Sequence, residues 1–142
     1  MTTVHQGVIP AMDVSIDLLR AAFDAALYAT TVDEDGDLVV RGAGTKFYVT
    51  LSEDARRVRV ATFSLLRDGA SREEALSAVN AFNEQYAVAR AYFVKTSAGH
   101  EGIVFDSDLT YSGGLIPLNL LTRFRTFENI LSDMHPARAL LT

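Results

Sequence analysis

A chain of 142 residues, 49% hydrophobic and 22% charged, has the composition of one compact domain. A domain of that length buries about two-thirds of its unfolded surface without covalent staples. Zero cysteines exclude disulfides, thiolate nucleophiles and Cys-ligated zinc, and 13 basic against 18 acidic side chains argue against a general nucleic-acid binder. No apolar run reaches the roughly 18 residues of a membrane span, and the opening MTTVHQGVIP does not read as a signal peptide. A cytoplasmic protein with no membrane and no nucleic-acid partner is expected.

The first periodic segment runs from Ile16 to Ala29. Ile16, Leu19, Phe23, Ala26 and Leu27 recur at helical steps on one face, and Asp13 or Ser15 can cap the first turn. Thr30 and Thr31 mark its end. From Leu38 to Leu66 the period falls to two. Phe47, Val49 and Leu51 alternate with Lys46, Tyr48 and Thr50, and Val58 and Val60 oppose Arg57 and Arg59. The turns at Asp33–Asp37, Gly42–Gly44 and Ser52–Asp54 then give a meander of three short antiparallel strands.

Ser71 and Glu74 have the spacing of a capping box, and Leu76, Val79, Phe82 and Tyr86 predict a helix from there to Gln85 or Tyr86. Two strands follow, Val88 to Lys95 and Gly102 to Thr110, joined by the loop Ser97–His100. Ile103, Phe105 and Leu109 face one way, and Asp106 and Asp108 the other, toward solvent. The last helix carries Leu120, Phe124, Phe127, Leu131 and Met134 on one stripe, with Pro117 in its first turn and Pro136 as its stop. The tail to Thr142 should be loose. The order is α-β-β-β-α-β-β-α, an α+β fold with one antiparallel sheet and helices packed on it, as a single domain over residues 1–142.

Few residues are arranged for chemistry. Asp33, Asp35 and Asp37 suggest calcium, but an EF-hand loop then needs Gly sixth and Glu twelfth, where Leu38 and Gly44 stand. Gly42-Ala43-Gly44-Thr45-Lys46 lacks the glycine spacing of a phosphate loop and sits between strands. His5, His100 and His135 have no metal-ligand spacing, and Ser64 and Ser97 lack a nucleophile elbow. Asp106 and Asp108 read as the polar side of a strand. The expectation is no catalytic residue, no metal and no cofactor.

Charge and apolar surface point elsewhere. Residues 1–37 carry one Arg against seven acids, whereas residues 38–72 carry seven basic side chains against three acidic. A basic strand region facing acidic helices or an acidic partner is the reading for Arg56, Arg57 and Arg59. On the last helix Leu118 and Leu121 fall off the main stripe, on the side of Thr122 and Arg125. A helix apolar beyond one face is covered on a second side, by the sheet or by a partner. The candidate partner or dimer contacts are therefore Leu118, Leu121, Arg125, Arg57 and Arg59.

The chain resembles the YbjN family, described as bacterial sensory transduction regulators. The resemblance spans residues 14–134 and is carried by three segments. These are DEDGD before the first strand, VNAFNEQYAVARAYF with Asn80, Asn83 and Arg90, and FDSDLTYSGGLIPLNLLTRF. It implies a fold similar to type III secretion chaperones, often dimeric, and a non-enzymatic adaptor acting through protein partners. A secretion chaperone holding an extended segment of an effector client is the alternative it leaves open. Asn80 and Asn83 are expected to tie down the helix-to-strand connection. Arg57 and Arg59 depart from the family, whose strands are plainly apolar.

Overall fold

The computed structural model describes residues 7–42, 44–133 and 137–142. Its elements in order are α1 (Ile16–Ala25), β1 (Ala29–Val32), β2 (Leu38–Arg41), β3 (Lys46–Ser52), β4 (Arg57–Leu65), α2 (Arg72–Gln85), β5 (Arg90–Lys95), β6 (Glu101–Thr110) and α3 (Pro117–Ser132). The strands form one sheet in the order β1-β2-β3-β4-β6-β5, antiparallel throughout, so the fold is the expected α+β class. One strand, β1, is added ahead of the three expected in the first half. His5, Ala43, Met134, His135 and Pro136 lie outside the described residues, so the expectations resting on them stay there.

The added strand comes from an early helix stop. α1 ends at Ala25, not near Ala29, and Leu27 takes φ +70°. The Tyr28 N–H bonds the Phe23 carbonyl (3.0 Å) and the Leu27 N–H bonds Asp24 (3.0 Å), while the Phe23 and Tyr28 rings meet edge-on at 5.9 Å. That is a Schellman end with leucine where glycine is usual. It carries Leu27 off the helical stripe to 92% exposure.

The chain divides into two compact units, Met1–Val60 with Asp108–Thr126, and Ala61–Ser107 with Phe127–Thr142. In the first, Phe124 is the hub: its ring meets Phe23 (5.1 Å), Tyr28 (5.0 Å) and Phe47 (4.9 Å) edge-to-face. Each such contact contributes about 0.5–1.5 kcal/mol beyond burial. Leu19, Leu38, Val40 and Val49 complete this core. Ile9 and Leu115 form a two-bond bridge that ties the N-terminal segment to the head of α3.

In the second unit the capping box forms as expected: Ser71 Oγ accepts from the Glu74 N–H and Glu74 from the Ser71 N–H, both at 3.1 Å. The buried face of α2 is Ala75, Ala78, Val79 and Phe82. Leu76, expected on the stripe, is exposed. Small residues at the contact let the helix approach β5 closely, and Phe82 reaches Phe105 of the neighbouring β6 at 5.1 Å. The tail is not loose. Leu66 and Leu141 bridge, the Arg67 N–H bonds the Leu140 carbonyl (2.8 Å), and Ala137 and Leu140 are buried. Arg138 reaches back to the Leu131 carbonyl (3.1 Å), taking up an acceptor that the end of α3 leaves open.

Candidate interaction surface

Strand period fixes which side chains share a face. In the first unit β2 and β3 pair Leu38 with Val49, Val39 with Tyr48, Val40 with Phe47 and Arg41 with Lys46. Leu38, Val40, Phe47 and Val49 are buried on the helix side. The other side therefore carries Arg41, Lys46 and Tyr48, which are exposed, and Val39, which is itself buried. On β4, Val58 and Val60 are buried, so Arg57 and Arg59 join that outer side. Arg57 stands 3.6 Å from Asp108, and Lys46 lies over the Tyr48 ring at 5.9 Å. This outer face is basic. Asp108 stands on this face with Arg57; of the other acids of the unit, Asp17 and Asp24 lie on α1, Asp33 to Asp37 in the β1–β2 turn, and Glu53 and Asp54 in the β3–β4 turn.

In the second unit Arg90 and Asp106 face each other across β5 and β6. Their carboxylate–guanidinium contact is two-pronged, at 2.7 and 3.1 Å. Asp106 is 1% exposed, so it is not on the solvent face as expected: the arginine holds it while its guanidinium also lies over the Tyr92 ring (5.5 Å). Phe63 covers Gly102 on the same strand side. A methyl there would stand 2.6 Å from the ring and closer still to the Ser64 carbonyl.

The last helix divides the residues expected to meet a partner. Leu121 is 4% exposed and belongs to the core, whereas Leu118 is 56% exposed and Arg125 is exposed. Leu118 has company. Val8 and Ile116, one residue beyond the Ile9–Leu115 bridge on either strand, turn outward at 59% and 39% exposure.

The groups considered for chemistry are dispersed or engaged. His100 is exposed in the β5–β6 turn, six residues and about 20 Å along the chain from Asp106 at ordinary strand rise. Ser64 and Ser97 stand with no acid–base partner arranged about them among the described residues. Asp33, Asp35 and Asp37 place carboxylate oxygens within 4.8 Å of one another. Asp33 Oδ1 is meanwhile spent on the N–H groups of Asp35 (3.0 Å) and Asp37 (2.9 Å), an Asx turn. Desolvation, then Asp33 and Asp35, raise the Asp37 pKa above 3.8. A depression of about 530 Å³ in the second unit is lined by Arg67, Glu73, Glu74, Ser77, Ala78, Ala139 and Leu140, apart from all of these groups.

Both sheet edges are attended to. On β1, Arg20 reaches the Thr30 hydroxyl (3.1 Å) and carbonyl (3.4 Å). On β5, Asn83 donates to the Ala91 carbonyl (2.9 Å) and accepts from its N–H (2.7 Å), as expected of an amide tying helix to strand. Asn80, named with it, is exposed.

The family model for YbjN, "Putative bacterial sensory transduction regulator", matches residues 15–137. The chain belongs to the YbjN family. The solved structure of YbjN from E. coli, called there "a putative transcription regulator", superimposes with a TM-score of 0.77 at 16% identity, covering 91% of this chain and 96% of that one. At that identity the likeness shows a shared fold. No curated protein matches the sequence. Within this YbjN fold, the sequence signalled the Arg57/Arg59 alternation and the Asn83 tie. It did not signal the burial of Asp106, because a strand's polar side looks the same whether water or an arginine covers it.

Proposed function

We propose that this YbjN-family chain is a cytoplasmic, non-enzymatic regulator that works by binding other polypeptides, and that two copies pair through the head of α3. The observation carrying this reading is the outward apolar group Val8, Ile116 and Leu118, set on a rigid bridge and a helix start. Exposed apolar groups of this kind are interaction sites. The engagement of Asp106 by Arg90 and of Asp108 by Arg57 supports structural work over acid–base work for these carboxylates. An extended client adding a strand would meet Arg20 at Thr30 or Asn83 at Ala91, so the chaperone alternative gains nothing from the sheet edges.

Sedimentation equilibrium tests the pairing. Leu118 enters a two-fold contact twice, and burying a leucine contributes about 1.5–3 kcal/mol, so Leu118→Asp should weaken the dimer about a thousandfold. Wild type should sediment as a dimer at micromolar concentration and the variant as a folded monomer. A wild-type monomer across that range would end the pairing proposal.

A further inference from the structure

We infer that the depression between α2 and the C-terminal turn of the second unit binds a small zwitterion, an ammonium and a carboxylate on a short apolar stem, as in a free amino acid or a dipeptide. Its volume is about 530 Å³, within the range of pockets that take small ligands. The first turns of α2 supply Glu73, Glu74, Ser77 and Ala78. The short helical turn Ala137–Leu140 supplies Ala139 and Leu140, and Arg67 enters from the segment after β4. All of these residues belong to the second unit. The pairing of two copies proposed above plays no part in the site.

Opposite charges line this depression without closing on each other. Arg67 donates through Nε to the Ala139 carbonyl at 2.7 Å, which holds the guanidinium to the C-terminal turn. Its two terminal nitrogens have no partner among the described residues. Glu74 is held on α2 by the capping box, where its carboxylate accepts from the Ser71 N–H at 3.1 Å. Glu73 and Ser77 stand one turn apart on the same helix. Neither the Glu73 carboxylate nor the Ser77 hydroxyl bonds another described residue, and no ion pair joins Arg67 to either glutamate.

That separation selects the ligand. An anion alone meets Arg67 but also two carboxylates, and a cation alone meets the carboxylates but also the guanidinium. A zwitterion satisfies both walls at once. Its carboxylate takes the parallel N–H bonds that the two terminal nitrogens of Arg67 still offer. Its ammonium, with three donors, takes the Glu73 carboxylate and the Ser77 hydroxyl. Ala78 and Leu140, at 3% and 8% exposure, give the stem an apolar lining.

Amide NMR titrations with leucine, Ala-Leu, N-acetyl-Ala-Leu and Ala-leucinamide test this, the last two carrying only the carboxylate or only the ammonium. Leucine and Ala-Leu should shift the amides of Glu73, Glu74, Ser77, Ala139 and Leu140 below about 10 mM. The two capped forms should bind about two- to fivefold more weakly, the worth of one exposed ion pair. The tighter of leucine and Ala-Leu identifies the natural ligand as a free amino acid or a peptide. Glu73→Gln removes a carboxylate that bonds nothing else in the protein, so the variant folds, and it should weaken both zwitterions about two- to fivefold. Arg67→Gln should do the same, whereas Arg125→Gln, at an exposed position on α3, should change nothing. Absence of shifts at these amides, capped forms binding as tightly as the zwitterions, or wild-type affinity in Glu73→Gln would each overturn the inference.

Discussion

Asn83 offers the most direct test of how this fold is held. Its amide makes two hydrogen bonds to one residue, donating to the Ala91 carbonyl at 2.9 Å and accepting from the Ala91 N–H at 2.7 Å. Ala91 lies on β5, the edge of the sheet, opposite Phe105 of β6. The groups that Asn83 takes are those directed away from β6, which an edge strand otherwise leaves to water or to another chain. A net hydrogen bond contributes about 0.5–1.5 kcal/mol, and Ala91 is too buried for water to replace both freely. Asn83→Ala should therefore cost about 2 kcal/mol, a fall of about 1 M in the urea midpoint at an ordinary m-value. Exchange of the Ala91 amide should accelerate in step.

Asn83→Asp sharpens the test. The carboxylate keeps the acceptor for the Ala91 N–H but sets its second oxygen against the Ala91 carbonyl, where only a proton can make a bond. Folding then raises the pKa of the new carboxyl above its unfolded value. The protonated contact is fully present below the unfolded pKa and is lost as pH rises through the folded one. The deficit relative to wild type should be at least as large as that of Asn83→Ala at pH 7 and should shrink below about pH 4. Urea midpoints of both variants within about 0.2 M of wild type, about 0.4 kcal/mol, with unchanged Ala91 exchange, would refute the clamp.

Removing either partner of the Arg90–Asp106 contact should be unequal in cost. Arg90→Ala leaves a carboxylate at 1% exposure and should cost about 2–4 kcal/mol, whereas Asp106→Asn leaves a largely solvated arginine and should cost about half that or less in thermal melts. Leu27→Gly should stabilise by up to about 1 kcal/mol, since the side chain is exposed and the left-handed φ of +70° suits glycine; a loss on denaturation would contradict the Schellman end. Gly102→Ala should cost about 2–3 kcal/mol, and Phe63→Ala should not rescue it, because the Ser64 carbonyl is closer than the ring. Asp37→Asn should raise stability at neutral pH, as the folded carboxyl resists ionisation; the gain should fade as pH falls through the raised folded pKa and vanish below 3.8, where the wild-type group becomes protonated in both states.

What the sequence disclosed depended on whether a residue's neighbours were local. Ser71 and Glu74 satisfy each other across three residues, so their spacing sufficed. The α3 stripe needed only its own period, and Leu120, Phe124, Phe127 and Leu131 are all buried. β1 was hidden because its four residues, ATTV, are too few for a period and follow a helical spacing that Leu27 extends in sequence. The left-handed turn that breaks that pattern carries no glycine to announce it. Asp106 and the Arg138 cap depend on arginines 16 and 7 residues away, and no local pattern specifies such partners.

The charge asymmetry shows how a weak sequence signal becomes a spatial one. Along the chain, an acidic first quarter followed by a basic stretch could describe two solvated surfaces with no relation to each other. The strand period changes that. Because Val40, Phe47, Val58 and Val60 must enter the core, Arg41, Lys46, Arg57 and Arg59 are driven to the opposite side of the same strands. Helix α1, packed through Phe23 on Phe124 and through Arg20 on Thr30, keeps its acids on the other side. A one-residue slip of β3 would exchange Phe47 and Lys46 between faces and bury the cation. The basic face is thus fixed by the same register that makes the core, and it cannot drift without unfolding the unit that presents it.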